Sequence, residues 1–322
     1  MAGVEIRKVQ RLGASSLVVT LPHSWARRVN LKPGDSIMIS IEGASLRLTP
    51  IPKNPKSKSI SVDVAGLRDP RVQSLVIPCF YILGYDEVSI KLSGGSPGIQ
   101  PLLKSTSSRL TGLEMYYLED GTVAAKILID PDKVDLKVSV RSMTILTSNI
   151  VKAVARAVRE GLSEDIELEA RLLGEELYKL RSIIERQLHI YPQTAYGGEG
   201  VNETLVLTAL TLLGLMDALL IDLFEAARHG FKVSVELSQI LENLGDVIPL
   251  IGTAVVNPSV KRSLEVLDIL QHAQGRVFEM VKSGVLEGVQ YVVATRIMDI
   301  VKILQIICYA IICVGLSAGE RS

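Results

Sequence analysis

The chain has 322 residues, with 35 Lys+Arg and 35 Asp+Glu, so its formal net charge is zero. Hydrophobic residues make up 48% of it and aromatic residues 4%, which is enough for aliphatic cores, and the length indicates about two or three domains. Three cysteines are too few for a disulfide framework, so we expect a reducing cytoplasm and buried thiols. Because residues 1–10 are charged and lack an apolar segment, we expect no secretory signal peptide.

The zero net charge averages two unlike parts of the chain. Residues 1–58 contain ten Lys/Arg and three Asp/Glu, a net charge of +7, and the remaining residues carry −7. A basic N-terminal segment on an acidic body favours binding to a polyanion.

Residues 1–52 are predicted to form strands and turns. "SSLVVTLP" is β-rich, and two further strand patterns follow in "LKPGDSIMISIEGASLRLTPIP", with turns at Pro33-Gly34-Asp35 and Glu42-Gly43. The lysines, prolines and serines that come next predict a linker over residues 53–58, which should act as a semi-rigid spacer.

Residues 59–134 are predicted to form a β-α-β-α-β-β module. Asp69-Pro70 is typical of a helix start, while Pro78 predicts a kink or break in that helix. Asp120-Gly121 predicts a hairpin turn between the last two strands. The glycine-rich "SGGSPG", residues 93–98, lacks the Lys-Ser/Thr of a phosphate-binding loop and is interpreted as a turn.

Residues 135–322 are predicted to be helical. Five breaks divide them into six helices, at "REGLSED", "YPQTAYGGEG", "RHGFKVS", "VNPS" and "KSGVLEG". Helices of this length with short connections predict an antiparallel bundle, with two sets of three helices as one arrangement.

Two segments of the helical region are unusually apolar, residues 205–224 and residues 300–316. Charged residues such as Asp217 and Lys302 interrupt them, and such charges are costly inside a membrane. We therefore expect no membrane insertion. A buried core is the favoured explanation, and a packed dimer surface is the alternative.

The N-terminal segment closely resembles the AbrB-type (SpoVT-AbrB) swapped-hairpin domain. The shared pattern is a strand after a glycine, "VTLP", a short basic helical turn, "LKPGD" and two strands, over residues 4–50. The resemblance implies an all-β domain in which two chains interlock and bind double-stranded DNA. The implied phosphate contacts are Arg7, Lys8, Arg11, Arg27 and Arg28. The family often has an arginine after the glycine, where this chain has Ala14-Ser15-Ser16, so one contact is weakened.

The physics of the basic cluster agrees with DNA binding. A two-fold dimer would double the five cations on one surface, and neutralising phosphates releases counterions, which makes affinity salt-dependent. Dimerisation would also supply the core that a unit of about 50 residues lacks. The alternative is that Arg27 and Arg28 form an ordinary solvated turn.

The rest of the chain resembles archaeal PhoU-like regulators. "ELYKLRSIIERQLHIY" is similar to the second helix of a PhoU bundle, and "RIMDIVKI" is similar to its final helix. The resemblance covers residues 59–316 and implies regulation of phosphate uptake. It also implies a phosphate-transporter component as a partner.

PhoU bundles commonly bind divalent metals through E/D-x-x-x-D repeats, and this chain departs from that pattern. Tyr178, Leu213 and Thr295 stand where the resemblance expects acids, which leaves Glu176, Asp217 and Asp299 as weak metal candidates. Glu242 and Asp246 have the right spacing but are interpreted as a solvated face. We therefore expect neither a metal cluster nor another cofactor.

No nucleophile–base pair is evident, so we expect no enzyme activity. The sequence favours a cytoplasmic, homodimeric DNA-binding regulator of phosphate homeostasis. One alternative is an adaptor that does not bind DNA and regulates a phosphate transporter. A metal-storage bundle is a third alternative, disfavoured by the missing acids.

Overall fold

The computed structural model describes most of the chain. The described residues are 6–13, 16–42, 45–50, 58–64, 69–91, 101, 103–105, 108–118, 121–130, 133–190 and 202–317. Two compact units are present: an N-terminal unit within Met1–Lys56, and a body unit that holds Ser57–Gln193 and Val201–Ser322. The predicted boundaries at residues 52 and 134 stay predictions.

The N-terminal unit contains two small antiparallel hairpins and one short helix. Its elements are β1 (Gln10–Leu12), β2 (Ser16–Val18), α1 (His23–Arg28), β3 (Ile37–Glu42) and β4 (Ser45–Pro50). β1 pairs with β2, and β3 pairs with β4. The predicted strand-rich segment is thus confirmed.

The turn at Lys32-Pro33-Gly34-Asp35 follows from its residues. The Asp35 amide donates to the Lys32 carbonyl at 3.0 Å, and Gly34 has φ +87°. Proline followed by a glycine of positive φ is the signature of a type II turn. The Asp35 carboxylate also accepts a hydrogen bond from the Lys32 amide at 2.8 Å, which fixes the entry to β3.

The body unit begins with a four-stranded sheet and one helix. These elements are β5 (Ser59–Asp63), α2 (Pro70–Ile82), β6 (Glu87–Lys91), β7 (Leu113–Tyr117) and β8 (Thr122–Ile127). The strand order is β5-β6-β8-β7, with β5 and β6 parallel and the other pairs antiparallel. The predicted second helix is present as helical residues at 101 and 103–105; its remainder, with residues 93–98, lies outside the described residues.

Two local predictions in this module have different outcomes. Gly121 has φ +80° between β7 and β8, which confirms the hairpin, although Asp120 lies outside the described residues. In contrast, α2 continues through Pro78, so of the predicted kink or break the break is wrong and the kink stays a prediction. Pro78 is buried, and packing of α2 on the sheet core outweighs the loss of one backbone hydrogen bond.

Six long helices follow, as the sequence predicts. They are α3 (Leu136–Glu160), α4 (Glu164–Ile190), α5 (Glu203–Arg228), α6 (Val235–Val256), α7 (Val260–Lys282) and α8 (Val289–Ser317). Side chains cap the first turns of α3, α5 and α6. The side-chain oxygens of Asp135, Asn202 and Ser234 accept hydrogen bonds from the backbone amides of Val138, Leu205 and Leu237. The most extensive helix packing joins α3 to α6, and other broad interfaces join α3 to α4, α7 to α8, and α5 to α8.

Arg186 of α4 joins the sheet module to the helices. Its buried guanidinium donates to the carbonyls of Tyr81 at 2.8 Å and Tyr85 at 2.7 Å, and to the Asp86 carboxylate at 2.9 Å. Asp86 in turn accepts from the Lys58 amide at 2.9 Å. Lys58, predicted as the last linker residue, is therefore held against the sheet. Burial lowers the pKa of Arg186, and the Asp86 charge opposes that effect.

Among the residues that the structure describes, three helices, α5, α6 and α8, are long and apolar enough to cross a membrane by length and composition alone. Within the most apolar window of each, 39%, 61% and 44% of the residues are buried. An ion pair of 3.0 Å joins two of these helices, between Arg296 of α8 and Asp222 of α5. The absence of membrane insertion stays a prediction.

The cysteine prediction was wrong for two of three residues. Cys308 is fully buried, and burial raises the pKa of its thiol to about 12. Cys79 and Cys313 are exposed. All three are free thiols.

Candidate nucleic-acid interface

The five predicted DNA contacts lie on three segments of the N-terminal unit that follow one another in the sequence. Arg7 and Lys8 lie in the chain that leads into β1, Arg11 lies within β1, and Arg27 and Arg28 form the last turn of α1. All five side chains are exposed. The first hairpin and α1 thus present cations to solvent, as a phosphate-binding surface requires.

The first hairpin is short and turns at a glycine. Arg11 is directly opposite Leu17 in the antiparallel register, and Gly13 has φ +69° at the turn. A left-handed conformation of this kind favours glycine. Ala14 and Ser15, where the resemblance expects an arginine, lie outside the described residues.

The position of Arg27 and Arg28 follows from how α1 begins and ends. Pro22 precedes the helix, with its carbonyl accepting from the Ala26 amide at 3.0 Å. Asn30, with φ +54°, ends it, and the Leu31 amide returns to the Ala26 carbonyl at 2.8 Å. Trp25 and Ala26 are half-buried, so the two arginines occupy the outer face at the helix C-terminus, where cations are favoured.

One exposed cation of this surface, Lys32, was not among the predicted contacts. It follows α1 by four residues and lies at the first position of the type II turn. The sequence did offer a signal for Lys32, because it stands immediately before Pro33-Gly34. The turn at these two residues fixes the direction of the Lys32 side chain. We therefore add Lys32 to the candidate contacts.

The side chains of the N-terminal unit whose burial is described form no buried core in a single chain. None of the side chains whose burial is described between residues 6 and 50 is buried. Several large apolar ones are strongly exposed: Ile6, Val9, Leu12, Leu17, Ile39 and Leu46, at 60–95%. Apolar surface on this scale is typical of a face that another chain covers.

One family model is similar to this segment. Residues 10–56 match the MazE antitoxin family. The family is described as "Antidote-toxin recognition MazE, bacterial antitoxin". The match supports the N-terminal swapped-hairpin domain, and AbrB/MazE-like domains commonly bind DNA and dimerise, so it is compatible with a DNA-binding regulator. No curated protein and no solved structure matches the chain significantly.

The weak metal candidates lie apart in three different settings. Glu176 pairs with Lys179 at 2.7 Å, and Asp299 pairs with Lys302 at 3.4 Å. Asp217 lines a cavity beside Arg181. Among the described residues, no group of three or more His, Cys, Asp or Glu side chains is arranged to hold a metal ion.

The second acidic pair lies at the surface, as the interpretation of a solvated face expects, with Asp246 exposed and Glu242 partly exposed. Glu242 lies 3.3 Å from Arg159, and Asp246 lies 2.6 Å from Lys152, so both acids of α6 bind cations of α3. These surface ion pairs link α6 to α3, and pairs of this exposure contribute little to stability. The sequence spacing within α6 could not show this, because the partners are more than 80 residues away.

Proposed function

We propose that the protein is a DNA-binding transcriptional regulator whose N-terminal unit dimerises on duplex DNA. The observation that carries the proposal is the set of exposed cations in the N-terminal unit, of which Arg11, Arg27 and Arg28 lie within the residues that match the MazE family. The exposed apolar side chains of the same unit support dimerisation, because a second chain would bury them. A dimer would then carry ten of these cations, five from each chain.

Binding to DNA by such a surface should be strongly salt-dependent. With six to ten phosphate contacts, affinity for a mixed-sequence duplex should fall about 1,000-fold or more between about 50 and 200 mM salt. Replacing Arg27 and Arg28 with alanine in the full chain should weaken binding on all sequences. The slope of log affinity against log salt should also fall by about one for each phosphate that the variant no longer neutralises. Fluorescence anisotropy at several salt concentrations measures both quantities.

Lys261 and Arg262 provide a matched control. They are also adjacent, exposed cations at one end of a helix, but they lie on α7 of the body unit. Alanine at both positions should leave DNA affinity unchanged. No binding, or binding that the Arg27/Arg28 variant retains in full, would favour the adaptor that regulates a transporter without binding DNA.

The finer parts of the proposal concern the body unit. We propose that it is a PhoU-like bundle, that the regulated process is phosphate homeostasis, and that the protein is cytoplasmic and not an enzyme. The resemblance of α4 and α8 to PhoU helices supports the first two points. Comparing transcripts of a deletion strain with those of its parent, at high and low phosphate, tests them: phosphate-transport genes should change.

A further inference from the structure

A cavity of about 460 Å³ lies between α3, α4 and α5 of the body unit. Its wall is largely aliphatic and aromatic, with Val154, Leu177, Leu220 and Phe224 among the lining residues. This volume lies within the range of small-molecule sites, which are typically apolar with a few placed polar groups. The cavity therefore has the size and the wall of a ligand site.

One carboxylate in this wall lacks a partner. Asp217 Oδ1 is shielded from solvent and receives no hydrogen bond from the part of the chain that the structure describes. A buried polar atom of this kind is costly unless something donates to it. Asp217 is thus a candidate anchor for a donor group of a bound molecule.

Two of the three arginines that line the cavity are engaged with acids, and the third, Arg171, is exposed. Arg228 donates to Glu225 at 2.7 Å and Glu167 at 2.6 Å. Arg181 donates to Glu185 at 2.9 Å, and its guanidinium lies against the helix at Gly214, one turn before Asp217. The Arg181 charge acts on Asp217 through space. Its Nε is directed to Glu185, and Oδ1 of Asp217 receives no hydrogen bond from the described residues. Because Oδ1 is shielded from solvent, the carboxyl must turn toward the cavity to meet a ligand.

We propose that this cavity binds a small organic cation with an apolar body, whose ammonium group donates to Asp217. The aliphatic wall would bury the alkyl part of the ligand. The carboxylate would fix the orientation of the charged end, and a charged hydrogen bond compensates the cost of burying it. The cavity belongs to the body unit alone, and the proposal does not depend on DNA binding.

The first test is isothermal titration of the full chain with three probes of equal length: hexylammonium, hexanol and hexanoate. We expect saturable binding of hexylammonium, about tenfold or more tighter than hexanol, with hexanoate weakest. Asp217→Asn should weaken hexylammonium binding about 10- to 100-fold, the usual worth of a charged hydrogen bond. Asp222→Asn, on the same helix but paired with Arg296, should change it less than about twofold.

A second pair of variants separates cavity binding from attachment to exposed apolar surface. Gly174 lines the cavity on α4, and an added Cβ there meets no atom within 4 Å. Gly174→Leu should fill the space and lower affinity more than tenfold, and leucine in a helix interior favours folding. Gly275 on α7 is equally open, so Gly275→Leu should leave binding intact.

Three results would overturn the proposal. One is the absence of hexylammonium binding at millimolar concentration. Another is tighter binding of hexanoate, which would make the cavity an anion site of its arginines. The third is binding that survives Gly174→Leu, which would place the probe elsewhere.

Discussion

At the scale of single residues, Asp217 has an environment that opposes its charge. Burial raises the pKa of its carboxyl from 3.8 to about 6, and the nearby Arg181 charge only partly offsets this. The folded state therefore binds the proton more tightly than the unfolded state. The contribution of Asp217 to stability should fall as pH rises through this window, from about 4 to about 6, and then level off.

Replacing Asp217 with asparagine tests this sign. Asparagine keeps the shape of the protonated carboxyl without its charge, so Asp217→Asn should stabilise the protein by up to about 3 kcal/mol at pH 8. At pH 4 the gain should shrink below about 1 kcal/mol, because the native carboxyl is then protonated. Urea unfolding at both pH values measures the difference. Asp222→Asn should show no such gain, and an equal gain from Asp217→Asn at both pH values would contradict the argument.

At the scale of elements, α3 and α6 approach closely through small residues. Gly245 and Gly252 are seven residues apart on α6, so they share one face. A Cβ at Gly252 would clash with the Thr144 side chain, and one at Gly245 would come within 3.2 Å of the Ser148 carbonyl. Both α3 residues are buried and Thr144 is β-branched, so they have little freedom to move aside.

Alanine at Gly252 should therefore destabilise the protein although alanine favours helix. The gain in helix propensity is up to about 1 kcal/mol, whereas overpacking costs about 1–3 kcal/mol. We expect a net loss of about 1–2 kcal/mol in urea unfolding. Gly174→Ala, at an open helical position, should instead stabilise by up to about 1 kcal/mol. Stabilisation by Gly252→Ala would show that α3 and α6 can separate at little cost.

At the scale of the whole molecule, α5 and α8 carry exposed apolar side chains as well as core ones. Leu207, Leu215 and Ile221 of α5 are 52–62% exposed, and Val292, Ile306 and Tyr309 of α8 are 49–52% exposed. Most of these residues belong to the two segments whose sequence is more apolar than one bundle needs. A second copy of the body unit is the expected cover, in the same dimer that the N-terminal unit would form.

Residues 59–322 should accordingly remain dimeric after removal of the first 58 residues. The described residues of the body unit form two hydrophobic cores, so we expect the truncated chain to fold without the N-terminal unit. Light scattering at micromolar concentration should give the mass of two chains, and Ile221→Glu should lower it toward one. A one-chain mass without that substitution would show that dimerisation depends on the N-terminal unit alone.

Much of the secondary structure could be predicted because its signals are local. The six long helices begin and end where Gly, Pro, Ser, Asn or Asp interrupts the apolar pattern, since a cap involves residues three or four positions apart. The type II turn needs only Pro33 and Gly34. The exposed cations Arg27 and Arg28 were also predictable, because a six-residue helix bounded by Pro22 and Asn30 leaves few orientations for them.

The sequence by itself thus determined the element order, the basic N-terminal segment and the candidate DNA contacts. Only the tertiary structure decided which charges meet: Arg186 with Asp86, Glu242 with Arg159, and Asp217 with an open cavity. It also decided that Cys79 and Cys313 are exposed and that α2 passes through Pro78. The physical reason is that these outcomes depend on contacts between residues far apart in sequence. Those contacts are set by how helices and sheet pack. Caps and turns, in contrast, are set within a few residues, and net charge is set by composition.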